Sequence, residues 1–222
     1  MADDVITIIA ALIGAVIGSL GAKLVEEFLK RRAEKVSLQR TIVNQYLLQL
    51  QGAIESLWYR LDTLKKRGAR MVTQDKYFEV STLYSLACVL AYRRILLLEG
   101  VYSKIEQAKR DLGSFLNERL IGIDSILENF QTSTPFYRYE RLILAETVIQ
   151  RIGDRLGTHT YLEFKKQYDD SSSGVEESLK PAKDFLSHLS KPDIGYFMEE
   201  LKQIAIRVGD ETRIASSLIE RT

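Results

Sequence analysis

The chain has 222 residues, with 31 lysines and arginines against 30 aspartates and glutamates, and a net charge of +1. That balance excludes binding driven by a basic surplus, so no nucleic-acid partner is expected. One cysteine excludes both an intrachain disulfide and a cysteine zinc cluster. Only three prolines occur and the hairpin dipeptides Asn-Gly and Asp-Gly are absent, so the chain reads as all-α.

The run from Val5 to Ala22 carries no charge, and its only polar side chains are Thr7 and Ser19. A helix of about 18 to 20 such residues spans roughly 30 Å of hydrocarbon. The pattern predicts a short external tail over 1–4, a single transmembrane helix over 5–24 and a cytoplasmic helical bundle over 25–222. Asp3 and Asp4 precede the run, while the cations Lys23, Lys30, Arg31, Arg32 and Lys35 follow it. A secretory signal has the opposite polarity. Cations kept close to the cytoplasmic face put the N-terminus outside and the body in the cytoplasm. Ala10, Gly14, Gly18 and Ala22 recur every fourth residue and share one helical face. Small residues at that spacing let two helices approach closely in lipid, so a homo-oligomer is expected through this face.

From Lys23 to about Arg67 a long helix is expected, interrupted by neither proline nor any glycine but Gly52. Val43, Leu47, Leu50, Ile54, Leu57, Leu61 and Leu64 form a heptad seam that suits packing within the chain's own bundle. The helix should stop near Gly68, and Lys65, Lys66 and Arg67 then sit where a helix C-terminus favours cations. The stretch from Thr82 to Leu98 is the most apolar of the body and should be its central helix. Its uncharged part is too short to cross a bilayer before Arg93 and Arg94. Cys88 within it reads as a small buried hydrophobe, not a nucleophile.

A further helix is expected from Val101 to Phe130, with Leu112, Phe115, Leu116, Leu120, Ile123, Ile126 and Leu127 inward and breaks at Gly113 or Gly122. After a loop over Gln131–Pro135, another should run from about Tyr137 to Leu156, with Leu142, Ala145, Ile149, Ile152 and Leu156 inward and Gly157 as its C-cap. Thr160 and Glu163 have capping-box spacing. Asp169 to Gly174 reads as a surface loop. Pro181 and Pro192 each suit a first helical turn. The last helix should run toward Glu220 with Phe197, Leu201, Ile204, Val208, Ile214 and Leu218 inward.

Little in the chain points to catalysis. Two histidines, His159 and His188, lie outside any His-Glu-x-x-His or Glu-x-x-His pattern, so no metal ligand set is expected. The carboxylate pairs Glu26/Glu27, Asp169/Asp170, Glu176/Glu177 and Glu199/Glu200 read as solvated face charge. No glycine-rich phosphate loop is found. Neither catalytic residues nor a cofactor are expected.

Three stretches of the body carry a resemblance. Ser81-Thr82-Leu83-Tyr84 leading into Leu90-Ala91-Tyr92-Arg93-Arg94-Ile95-Leu96, then Tyr139 through Glu146, then Tyr161-Leu162-Glu163-Phe164, resemble an uncharacterised bacterial family of helical proteins with an N-terminal membrane segment. That resemblance implies a fold and no activity. The small residues around Gly14 and Gly18, ahead of a helical bundle, are also similar in architecture to HeLo-type membrane-permeabilising domains. The expected function is a membrane-anchored bundle that binds or positions a protein partner at the bilayer. The alternative is a pore-forming effector acting through the N-terminal helix.

Overall fold

The computed structural model describes residues 25–38, 40–129 and 135–219. The span expected over 5–24, its packing face Ala10, Gly14, Gly18 and Ala22, the cation Lys23 and residues 131–134 lie outside them. The chain divides into two compact units at Thr41/Ile42.

The first unit contributes helix α1, residues 25–38. Its residues hold no glycine or proline, and Glu27 accepts from Arg31 one turn on at 2.7 Å. Such an exposed pair adds only a few tenths of a kcal/mol, about 0.3–0.5. Val25, Phe28, Leu29 and Val36 on this helix are all exposed.

The second unit is mostly helical. A π-helical turn, Val43–Leu47, runs into α2, Leu48–Arg67. Leu47, Leu50, Ile54, Leu57, Leu61 and Leu64 are all buried, as the heptad spacing predicts. The seam is filled mainly by α11, Lys191–Thr212, and α4, Lys76–Leu98, of the same chain. Gly68 closes α2 with φ +91°, its N–H donating to Leu64 O at 2.7 Å. A one-turn helix α3, Met71–Gln74, follows. Asp75 caps α4 by accepting the Phe78 N–H at 3.1 Å.

α4 is the central helix, buried on most of its circumference from Phe78 to Leu96. By length and composition it would cross a membrane, but 78% of its most apolar window is inside the bundle. That is the condition of a core helix, which is apolar all round because other helices cover it.

Three expectations along the rest of the chain are corrected. The helix expected over 101–130 breaks at Lys109, which is extended, and not at either glycine. It gives α5, Val101–Ala108, and α6, Arg110–Glu128. Gly113 serves the crossing of these two helices: a Cβ there would lie 2.4 Å from Glu106 Cγ and 3.0 Å from Glu106 N.

The helix expected to reach Leu156 stops at Glu146, giving α7, Arg138–Glu146. An antiparallel hairpin follows, β1 Ile149–Ile152 and β2 Arg155–Thr158, registered from Ile149↔Thr158 to Ile152↔Arg155. The dipeptide Gly153-Asp154 makes its turn, with positive φ at the glycine alone, the type II′ pattern. Gly157, expected as a C-cap, lies buried in β2, where a Cβ would meet Ile152 Cδ1 at 2.7 Å. Ile152, expected inward, is exposed. The hairpin lies against α4, where the Tyr92 hydroxyl meets Thr158 Oγ1 at 3.2 Å.

Thr160 and Glu163 do form the capping box of α8, Tyr161–Asp169. Residues 170–174 make an exposed loop before α9, Val175–Ser178. Pro181 and Pro192 sit in the first turns of α10, Lys180–Ser187, and of α11.

The third correction is the end of α11. It stops at Thr212, and Arg213 takes a left-handed conformation with φ 61°. The chain then folds back along α2, leaving Ile214 exposed and Leu218 fully buried. Gln51 donates to Ile214 O at 3.1 Å. Glu55 accepts from the hydroxyls of Ser216 and Ser217, both at 2.8 Å, and from the Ser217 N–H at 3.3 Å.

Glu55 makes this tail sensitive to acid. Burial pushes its carboxyl up, but the donors Ser217, Ser216 and Gln51 together outweigh burial and hold it below 4.5. A carboxylate depressed in the folded state stabilises it fully above the unfolded value, and that contribution is lost as pH falls through the folded one. Amide protection at Ser217 and Leu218, corrected for intrinsic exchange, should therefore hold above the ordinary carboxylate range and fall as pH drops below it toward the depressed folded value. Glu55→Gln should flatten that dependence. A wild-type profile as flat as the variant's would remove Glu55 as the acid-sensitive group.

Candidate functional site

The flanking cations expected to matter are found on α1. Lys30, Arg31, Arg32 and Lys35 are all exposed. A turn of 100° per residue puts Val25, Phe28, Leu29 and Val36 on one face with Arg32 among them, and Glu27, Lys30, Arg31 and Glu34 on the other side. The small-residue face and Lys23 remain outside the description.

A second site lies within the bundle and was not legible beforehand. A cavity of about 440 Å3 opens between α6 on one side and α4 with α7 on the other. Arg93 and Arg94 end the apolar part of α4 and point about 100° apart, so they serve different neighbours. Arg93 reaches α6, where it pairs with Asp124 Oδ2 at 2.5 Å. Arg94 reaches α7 and pairs with Glu146 at 2.7 Å. From α7, Arg141 turns inward and is only 5% exposed. Its guanidinium donates to Phe136 O and to Glu128 at 3.1 Å, and its Nε lies 3.4 Å from Asp124 Oδ1.

Asp124 is therefore held between two guanidinium groups, yet its Oδ1 accepts no hydrogen bond from the described residues. Burial pushes its carboxyl above the usual carboxylate range, more than Arg93 and Arg141 pull it down. Beside it, burial pushes the Tyr102 phenol up to about 12, so that hydroxyl keeps its proton at neutral pH. Arg138 lines the same cavity, is exposed and makes no ion pair among the described residues.

Two other polar clusters are structural. Glu79, 5% exposed on α4, accepts from the Tyr168 hydroxyl at 2.5 Å and pairs with Lys183 at 2.7 Å. Cys88 is buried, and burial pushes its thiol up to about 11 against smaller lowering by Tyr84 and Thr158. His159 follows Thr158 in the chain, but its ring faces Glu163, with Nδ1 3.7 Å from that carboxylate. Among the described residues no three His, Cys, Asp or Glu side chains could hold a metal ion together.

The sequence held one signal for the cleft. Leu120, Ile123 and Leu127 form an apolar stripe in which Asp124 interrupts the i, i+3, i+4, i+7 series. A carboxylate inside such a stripe calls for a buried cation, and Arg141 supplies it. Arg141 was missed because the face assigned to its helix was rotated; Arg141, Leu144, Ala145 and Val148 are the buried set. Chemically, the arrangement suits binding: guanidinium forks around an under-satisfied acceptor, with apolar walls from Leu90, Leu97 and Leu142. No family model, no curated protein and no solved structure matches the chain, so any assignment rests on this geometry.

Proposed function

We propose that the chain is a membrane-anchored helical bundle that binds or positions a partner protein at the bilayer. The observation that supports this reading is α1. It follows directly on the uncharged run of residues 5–22 and keeps Val25, Phe28, Leu29 and Val36 exposed, with Arg32 and Lys35 beside them. Apolar side chains flanked by cations suit the boundary between acyl chains and anionic headgroups. On this reading the N-terminus faces out and the bundle lies in the cytoplasm. Ala10, Gly14, Gly18 and Ala22 give the span a self-association face.

The test is topology and packing in one set of cells. Protease added outside intact cells should leave residues 30–222 whole, and removing residues 1–22 should release the bundle into the soluble fraction. Replacing Gly14 and Gly18 together by Leu should abolish self-association without affecting insertion, because leucine keeps the span apolar while blocking backbone approach. Digestion of the bundle from outside sinks the orientation. Depolarisation of cells by the full chain, lost in the double-leucine variant, would move the assignment to a pore-forming effector.

A further inference from the structure

We propose that the cleft between α6 and the α4/α7 pair binds a small phosphate monoester, with the phosphate on Arg94 and Arg138 and a ligand hydroxyl donating to Asp124. This inference rests on the bundle alone and not on the membrane reading.

The first support is size. A cavity of about 440 Å3 falls within the range of small-molecule sites, roughly 300–1,000 Å3. Its construction is also unlike the rest of the bundle. α6 packs on α5 and α11, while Asp124 and Glu128 tie it by ion pairs to Arg93 of α4 and Arg141 of α7 across the opening. Helices held apart by charged bridges leave room that interdigitated leucines would fill.

Charge selects the class of ligand. Arg93, Arg94, Arg138 and Arg141 line the cavity with Asp124 and Glu128, and Glu146 pairs with Arg94 from outside the lining, so four guanidinium groups meet three carboxylates and one positive charge is left over. Arg93 and Arg141 are committed to Asp124, and Arg141 also to Glu128 and a carbonyl. Arg94 shares only an exposed carboxylate, Glu146, and Arg138 pairs with none among the described residues. A guanidinium fork matches phosphate oxygens, and a dianion competes with Glu146 for Arg94 better than a monoanion can.

Asp124 selects the second group. Its side chain lines the cavity, and its Oδ1, buried with Arg141 Nε 3.4 Å away, accepts no hydrogen bond from the described residues. A buried acceptor in that state is completed by a donor from outside the protein's own set. A hydroxyl next to the phosphate of a sugar phosphate is such a donor. The apolar walls at Leu90, Leu97 and Leu142 then cover the carbon skeleton.

The experiment is calorimetric titration of the full chain in neutral-lipid nanodiscs with ribose 5-phosphate, inorganic phosphate, ribose and succinate. Ribose 5-phosphate should bind, inorganic phosphate should bind more weakly, and ribose should not bind. Arg138→Gln, an exposed change that leaves the fold intact, should weaken ribose 5-phosphate roughly tenfold or more, and Arg94→Gln should add to it. Asp124→Asn should narrow the gap between ribose 5-phosphate and inorganic phosphate. Losing the counter-charge of Arg93 and Arg141 lowers its melting temperature, so a native helical circular dichroism spectrum at the titration temperature serves as the check that the variant is folded. Nanodiscs doped with a phosphorylated inositol lipid separate the two sources of the phosphate. If they occupy the site and free inositol phosphate displaces them, the headgroup is the ligand and the cleft stands. No heat from either phosphate at millimolar concentration overturns the proposal. So does binding unchanged by Arg138→Gln and Arg94→Gln together, or succinate binding more tightly than ribose 5-phosphate.

Discussion

Lys183→Met is expected to destabilise the bundle by about 3 kcal/mol, at the low end of what removing one partner of a buried ion pair costs. Glu79 is almost fully buried on the central helix, so without the ammonium its carboxylate keeps a charge that water cannot reach. The loss stays at the low end because the Tyr168 hydroxyl still donates to Glu79 at 2.5 Å. Burial pushes that phenol up first, and its bond to Glu79 pushes it further, so it remains a donor at any working pH. The double variant Glu79→Gln/Lys183→Met should recover most of the loss, since a neutral amide needs no counter-charge. Urea denaturation at neutral pH, followed by the fluorescence of Trp58, measures both. A single-variant loss under about 1 kcal/mol, the size of an exposed pair, would mean that the Lys183 ammonium contributes little to holding Glu79, and the charge argument fails.

Gly209→Ala should release the C-terminal segment and cost about 2 kcal/mol, within the range for overpacking a closed contact. A Cβ at 209 would stand 2.9 Å from Ile214 O and 3.0 Å from Ser216 N, both backbone atoms that no rotamer change can move aside. The tail must lift, and with it go the burial of Leu218 and the three bonds to Glu55. Trypsin should then cut after the exposed Arg213 far faster in the variant than in wild type, well below the temperature at which the bundle melts. Equal cutting rates, with equal melting temperatures, would show that the helix end shifts to absorb the methyl group.

The helices could be read from the sequence wherever one physical signal had no competitor. The seam from Leu47 to Leu64 has one period throughout, and all six of its described leucines and isoleucines are buried. α4 was legible because an uncharged, proline-free run too short for a bilayer has only the core left to fill. The hairpin was not. Ile149, Ile152 and Leu156 satisfy a helical stripe as well as a strand, and the deciding cue is two residues long. Gly153-Asp154 supplies a left-handed first position, which ends a helix and turns a strand with equal ease. The cleft escaped for a different reason. Its partners, Arg93, Asp124 and Arg141, come from three helices whose rotation about their own axes is set by packing, and no local spacing encodes that.

The burial of Cys88 has a practical reach beyond the core. With its thiol pushed up to about 11, only about one molecule in ten thousand carries the reactive thiolate at neutral pH, and bulk shields even that fraction. The native chain is thus silent toward maleimides while folded. A cysteine introduced at any exposed position, on α1 or at the rim of the cleft, would be the single address at which a spin label or fluorophore attaches. Two such cysteines, introduced as a pair, would let distances across the bundle be measured without first rebuilding its centre.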